Sequence, residues 1–240
     1  MRIDIWSDYA CPFCYIGKRR LEHALSQFEG RDKVEVVFRS FQLDPNAPVQ
    51  ATRDIYDMLA AKFGMTREKA IATNAQLAEQ ARGAGLEFNF DTVKPTNTFD
   101  SHRLSHYAAA KGKAAEMSER LLRAYFTDGL SLGDRRQLAS LAAEAGLDEA
   151  EAAAMLETDA YAEEVNGDIA QGERLNITGV PFFVFNNKYA VSGAQPGPVF
   201  SEVLDTVWAE ENNTPVLQAV GKPGSKAADA EGCDDGSCSI

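Results

Sequence analysis

Ser7-Asp8-Tyr9-Ala10-Cys11-Pro12-Phe13-Cys14 sets two thiols where a short apolar strand gives way to a helix. On its N-terminal side, Met1 to Trp6 carries Ile3, Ile5 and Trp6, a strand-like run. On its C-terminal side, Ile16, Leu21, Ala24, Leu25 and Phe28 recur at helical spacing. Cys11 therefore falls at a helix N-terminus, where unpaired backbone N–H groups and the positive end of the helix dipole favour a thiolate over a thiol. Pro12 suits the first helical turn, in which a missing N–H costs nothing. Cys14 lies one turn further in, within reach of Cys11 and shielded from solvent. Such a pair supports reversible disulfide exchange: Cys11 attacks, a mixed disulfide forms, and Cys14 resolves it. The same Cys-x-x-Cys spacing is also half of a zinc site. The strand before it and the helix after it favour the redox reading, and the second cysteine pair stands in a very different context.

Beyond the first helix, Lys33 to Arg39 alternates as a strand with Val34, Val36 and Phe38 on one face. Asp44-Pro45-Asn46-Ala47-Pro48 ends this pattern, and the chain becomes Ala-rich, charged and helically periodic. Thr52, Thr66, Asn97 or Thr98, and Asp134 are the expected caps of helices closing near Gly64, Gly83, Gly112 and Gly146, with one more helix between Ala114 and Phe126. A helix from Asp159 to about Leu175 leads to the buried-strand composition of Thr178 to Phe185. The Asn186-Asn187-Lys188 turn, a short strand Tyr189 to Val191 and a last helix from Gly193-Ala194-Gln195-Pro196 to Trp208 follow. Strand-helix-strand, interrupted and then completed by strand-strand-helix, is the thioredoxin arrangement. The expected class is α/β, a thioredoxin-like fold with a large inserted all-helical domain. Residues 1–48 and 161–209 make the thioredoxin-like part, 49–160 the insert, and 210–240 a flexible tail with the second cysteine pair.

The bulk composition narrows the partners. Twenty-four basic against 36 acidic residues leave a formal charge of −12, which disfavours nucleic acid and anionic membrane surfaces. No apolar run reaches the ~20 residues that span a bilayer. Asp4 and Asp8 interrupt the stretch a signal peptide would need, so the chain is expected to be cytoplasmic. Four cysteines in a cytoplasmic chain point to catalysis or redox sensing rather than to structural bridges.

Cys11-Pro12-Phe13-Cys14, the helical insert, Asn97 to Arg103, Gly179-Val180-Pro181-Phe182-Phe183 and Ser192-Gly193-Ala194-Gln195 together resemble the DsbA-like thioredoxin-fold oxidoreductases, in particular their cytoplasmic FrnE-like branch. The likeness runs the length of the chain, and Cys233 with Cys238 resembles the tail pair of some FrnE-like members. It implies dithiol–disulfide exchange with protein or peptide substrates, by reduction or isomerisation, with glutathione or thioredoxin as a candidate electron partner and no cofactor. Cys11 and Cys14 are the implied catalytic pair and Cys233 and Cys238 a relay. Pro12, Phe13, Val180, Pro181 and His102 are the implied substrate contacts. The resemblance also implies a cis bond before Pro181, with the Val180 backbone offered to a peptide as a strand partner, and a redox poise tuned at Phe13. It places Asn97 to Arg103 on a helical lid, so that His102 or Arg103 would line the substrate groove. His102 and His106, four apart on one helix, have the spacing of half a metal site, although a half-buried helix face explains them more simply.

One departure stands out: the thioredoxin fold often buries a carboxylate six positions before the first cysteine, and Ile5 occupies that place. Proton transfer at Cys14 then needs another group or water. In the tail, Asp234 and Asp235 should raise the neighbouring thiol pKa values, which suits a relay better than a primary nucleophile. From Ala209 to Cys233 are 24 positions, an r.m.s. reach of ~25–30 Å for a flexible chain. Two other readings remain open. One is a glutathione-dependent small-molecule isomerase of the hydroxychromene-carboxylate type, which shares the fold but typically has Ser at the first cysteine. The other is a thiol protein that binds metal through its tail.

Overall fold

A computed structural model describes residues 1–212. β1 (Arg2–Ser7) runs into α1 (Pro12–Gln27), and β2 (Glu35–Ser40) follows a short 3-10 turn at Arg31–Lys33. Six helices come next: α2 (Ile55–Phe63), α3 (Arg67–Gly83), α4 (Phe99–Ala110), α5 (Ala114–Phe126), α6 (Arg135–Glu144) and α7 (Glu149–Leu156). Then α8 (Ala162–Arg174), β3 (Phe182–Phe185), β4 (Tyr189–Ser192) and α9 (Gly197–Asn212) complete the described chain. The sheet order is β2-β1-β3-β4. β2 is parallel to β1, as the α1 crossover requires, and β3 and β4 are antiparallel neighbours. This is the expected thioredoxin-like α/β fold with a helical insertion.

Strand alternation sorts the sheet into two faces. Ile3 and Ile5 of β1 meet Phe183 and Phe185 of β3 on the side covered by α1 and α9, where Leu21, Phe28, Phe200 and Leu204 close a core. Trp6 and Val184 point the other way and pack with Ile177. The Trp6 indole donates to the Asp168 carbonyl of α8 at 3.0 Å, and Gly172 leaves room for the ring, since a Cβ there would lie 3.1 Å from its nitrogen. A separate, larger core holds the inserted helices together around Leu104, Met117, Leu121, Phe126, Leu138 and Leu156. Tyr9, Tyr15 and Ile16, from the cysteine turn and the start of α1, belong to that second core.

Local sequence accounts for most boundaries, and the differences have physical causes. α2 is capped by Asp54, which accepts from the Asp57 N–H at 2.9 Å, rather than by Thr52; Asp54 directly precedes Ile55, the residue that α2 buries. Thr66 and Asp134 cap α3 and α6 as expected. Thr98 occupies the cap of α4, but the side chain that bonds the first turn is Asn97, through the Phe99 N–H at 2.9 Å. α4 and α6 stop two residues before Gly112 and Gly146, whose positive φ angles of 72° and 87° turn the chain out of the helix. Helix α8 begins at Ala162 rather than Asp159, because Tyr161 ahead of it is left-handed at φ 64°. β3 pairs only from Phe182, since Pro181 has no N–H for a ladder. Asn186 and Asn187, both at positive φ (48° and 54°), form the tight turn between β3 and β4. Helix α7 has no counterpart among the elements expected from the sequence.

Candidate active site

Cys11 is the N-cap of α1 and Pro12 its first residue. The turn is held by backbone bonds: the Cys11 N–H donates to the Asp8 carbonyl at 3.1 Å and the Cys14 N–H to the Cys11 carbonyl at 3.0 Å. Both thiols are free and buried, Cys11 4% and Cys14 2% exposed, whereas the Phe13 ring between them is 45% exposed. The Asp8 N–H donates to the Cys14 sulfur at 3.5 Å. Burial, and then the neighbouring Cys11, push the Cys14 thiol well above the ordinary thiol range, outweighing the Ser7 and Asp8 donors that favour its thiolate.

The loop before β3 meets this turn from the other side. The Val180–Pro181 bond is cis, and the Cys11 thiol donates to the Val180 carbonyl at 3.4 Å. Pro181 is tied to the far end of β4 by the Gly193 N–H, which donates to its carbonyl at 2.8 Å. Gly17 lets α1 come this close: a Cβ on it would stand 3.0 Å from Pro181 Cγ and 3.1 Å from the Phe183 ring. Arg20 of α1 donates to the Ala194 carbonyl of the following loop. Cys11, Pro12, Phe13, Val180 and Pro181 are thus one cluster, although some 170 positions separate its two halves in the chain.

His102 is not at a surface. Its ring is 3% exposed, tilted against Tyr9 at 4.9 Å between centroids, with Nε2 3.4 Å from Asp8 Oδ1. It therefore stands behind the cysteine turn, and the expectation that it lines a groove fails because the Tyr9 ring and the Asp8 carboxylate enclose it. Arg103 is buried too, its guanidinium donating to the Ala160 carbonyl at 2.8 Å, the Met155 carbonyl at 3.1 Å and Asp100 at 2.7 Å; it ties α4 to the segment between α7 and α8. His106 faces a different carboxylate, with Nε2 3.0 Å from Asp168 Oδ2. The two histidines of α4 therefore do not converge on one point. Cys233 and Cys238 lie outside the described residues.

Asp8 is the residue that sequence reasoning missed. Its carboxylate is buried and accepts from the Leu43 N–H at 2.7 Å and the Ala10 N–H at 3.4 Å. Burial alone would raise its pKa. The His102 ring, the Leu43 N–H and Thr98 overcome that and hold the carboxyl below the usual carboxylate range. Ile5, where a buried carboxylate would be sought, is a core residue of β1. The signal available in the sequence was a charged residue directly after an apolar strand and three positions before the first cysteine.

A sheet of this order, with two free cysteines on the first turn of a helix facing a cis proline, defines a thioredoxin-type fold of the dithiol-bearing class. Residues 2–205 match the DSBA-like thioredoxin domain, and the chain belongs to that family. It is 30% identical over 206 residues to the uncharacterized protein YwbO of Bacillus subtilis (strain 168), covering 85% of this chain and 96% of that one. The crystal structure of the probable DsbA oxidoreductase SCO1869 from Streptomyces coelicolor superposes with a TM-score of 0.83 at 41% identity, covering 100% of this chain and 99% of that one. More distant structures share the fold. A 2-hydroxychromene-2-carboxylate isomerase gives a TM-score of 0.65 at 14% identity over 88% of this chain and 98% of its own. The cytosolic disulfide reductase DsbM from Pseudomonas aeruginosa with GSH gives 0.61 at 18% over 86% and 98%.

Proposed function

We propose that this DsbA-like protein is a cytoplasmic thiol–disulfide oxidoreductase that reduces or isomerises disulfides of protein or peptide substrates. The observation that carries this reading is the division of labour between the two thiols. Cys11 sits at the helix N-terminus against the Val180 carbonyl, whereas Cys14 is sealed beneath it with its thiol held protonated. Cys11, as thiolate, attacks one sulfur of a substrate disulfide; that S–S bond breaks and the first substrate thiolate leaves. Cys14 then loses its proton and attacks the Cys11 sulfur, forming the Cys11–Cys14 disulfide and expelling the second substrate thiolate. Two electrons have passed to the substrate. Two thiols, from two molecules of glutathione or from the dithiol of one thioredoxin, reduce the Cys11–Cys14 disulfide, are themselves joined as a disulfide, and restore the protein.

Phe13, the exposed member of the cluster, and Pro12 supply apolar contact to the substrate, while the Val180–Pro181 segment supplies backbone to an extended peptide. Cys233 and Cys238 serve as a second dithiol that accepts the disulfide from the active site. A glutathione-dependent isomerase of the hydroxychromene-carboxylate type is the second reading, favoured by the shared fold; the intact Cys11–Cys14 pair speaks for exchange instead. Insulin reduction in the presence of glutathione tests the choice. Wild type should precipitate the insulin B chain, and Cys11→Ser should fall to the uncatalysed rate. Activity on a hydroxychromene carboxylate that survives Cys11→Ser, with no insulin reduction by wild type, would reverse the assignment.

A further inference from the structure

In the exchange just proposed, Cys14 has to release a proton inside the protein, and nothing at Ile5 can receive it. The amide of Asp8 is on the Cys14 sulfur at 3.5 Å, so bond geometry keeps the Asp8 carboxylate within about 8 Å of that sulfur. Beside that carboxylate stands His102, its buried Nε2 3.4 Å from Asp8 Oδ1. A buried imidazole nitrogen set against a buried carboxylate is an arrangement that can take up and hold a proton.

We infer that Asp8 and His102 form the acid–base pair that takes up the Cys14 proton when Cys14 resolves the mixed disulfide. This inference rests on the exchange reading above. As Cys14 attacks, the Cys14 S–H bond breaks and the pair gains the proton; the new bond joins the two cysteine sulfurs, and the expelled substrate thiolate carries off the electron pair. The Asp8 carboxylate and the His102 imidazole, 3.4 Å apart, hold the proton between them. In the reverse direction the same pair returns the proton to Cys14 as its thiolate leaves. His102 acts through Asp8 and is a positioning residue and proton holder; Asp8 is the member on the Cys14 side, its own amide bonded to the sulfur.

Other groups around the pair are poorer proton carriers, and the Ser7 side chain on Cys14 acts only as a hydrogen-bond donor to its thiolate. From α5, Tyr125 faces Asp8, and from the cysteine turn itself Tyr9 does; burial pushes the Tyr9 phenol up to about 12 and the Tyr125 phenol higher still. Thr98, at the cap of α4, and the Leu43 N–H offer only hydrogen bonds to the carboxylate.

The test follows the two steps separately, in the full chain carrying Cys233→Ser and Cys238→Ser so that the tail thiols do not react. Reduced protein mixed with dithiobis-nitrobenzoate releases one thionitrobenzoate when Cys11 attacks and a second when Cys14 resolves. Asp8→Asn keeps an acceptor for the Leu43 N–H, and His102→Gln provides a second variant should one not fold. Each is expected to slow the second release about tenfold or more near pH 7 while leaving the first within about twofold. The gap should close at alkaline pH, where Cys14 ionises unaided. A second release as fast as wild type in the folded variants, a loss shared equally by both steps, or a slowing that is constant across pH overturns the pair. Should the parent chain with only the two tail substitutions release a single equivalent, the exchange reading falls and the inference with it.

Discussion

Phe13 stands between the two thiols with nearly half its surface in solvent, and its ring offers neither a proton nor a charge to a thiolate beside it. Phe13→His should therefore make the Cys11–Cys14 disulfide more oxidising, because a donor at that position stabilises the reduced form. A tenfold change in the equilibrium constant, about 30 mV, is the expected size, read by equilibration against glutathione at fixed pH. An unchanged potential would mean that the helix terminus alone sets the poise. At this scale the sequence was legible wherever chemistry is contiguous: Cys11, Pro12 and Cys14 declare themselves within four positions. Asp8 did not, because a carboxylate was sought at a fixed offset along the strand, whereas the fold supplies one from the loop. His102 was seen but misplaced, since the family likeness that put its helix on the lid does not say what covers each face of that helix.

Among the elements, α1 is the one whose seating decides the site. Its approach to β3 depends on Gly17, where an added methyl would press on Pro181 Cγ at 3.0 Å and the Phe183 ring at 3.1 Å. Gly17→Ala should destabilise the fold by about 1–3 kcal/mol, the usual cost of overpacking. It should also lower disulfide-exchange activity more than the lost stability explains, because the displaced atoms belong to the segment facing Cys11. Urea unfolding alongside insulin reduction at a temperature where the variant is fully folded separates the two effects. Elements with a capping side chain or an apolar stripe are legible in the amino-acid sequence alone, as α3, α5 and β1 illustrate. Helix α7 is not: Glu149 to Leu156 contains three consecutive alanines and too little apolar contrast to show a face. It is a helix because Asp148 caps it through the Glu151 N–H at 2.8 Å and because Ala152 and Leu156 are buried in the larger core.

Across the whole molecule, the sheet and the helices are riveted by a polar cluster that no local reading could assemble. Arg39 of β2 bonds Asp4 of β1 and Asp168 of α8, each at 2.8 Å, and Asp168 also meets His106 of α4 at 3.0 Å and the Ser40 N–H at 2.9 Å. Burial would raise the Asp168 pKa, but His106, the Ser40 N–H and Arg39 hold the carboxyl below its usual range, and Arg2 and Arg39 do the same for buried Asp4. Carboxyls with lower pKa values folded than unfolded take up protons first in the unfolded chain. Their stabilisation is complete above the ordinary carboxylate values near pH 4 and is lost as pH falls through the folded ones. Asp168→Asn should cost about 3 kcal/mol at neutral pH, as expected when one member of a buried ion pair is removed. It should also flatten the acid limb of a plot of urea midpoint against pH. An acid limb as steep as that of wild type would assign the acid sensitivity to other carboxyls.

The sharing of α1 between two cores has a further consequence. Its later turns, through Leu21, Ala24 and Phe28, rest on the sheet, while Tyr15, Ile16 and the preceding Tyr9 are sunk among the inserted helices. The helical block is then a wall built onto the reactive turn and cannot swing clear of it without stripping those three side chains from their packing. A chimera that exchanges the block between relatives has to carry Tyr9, Tyr15 and Ile16 across with it. The unit that can be inherited or transplanted intact is one that the linear order of the chain does not display.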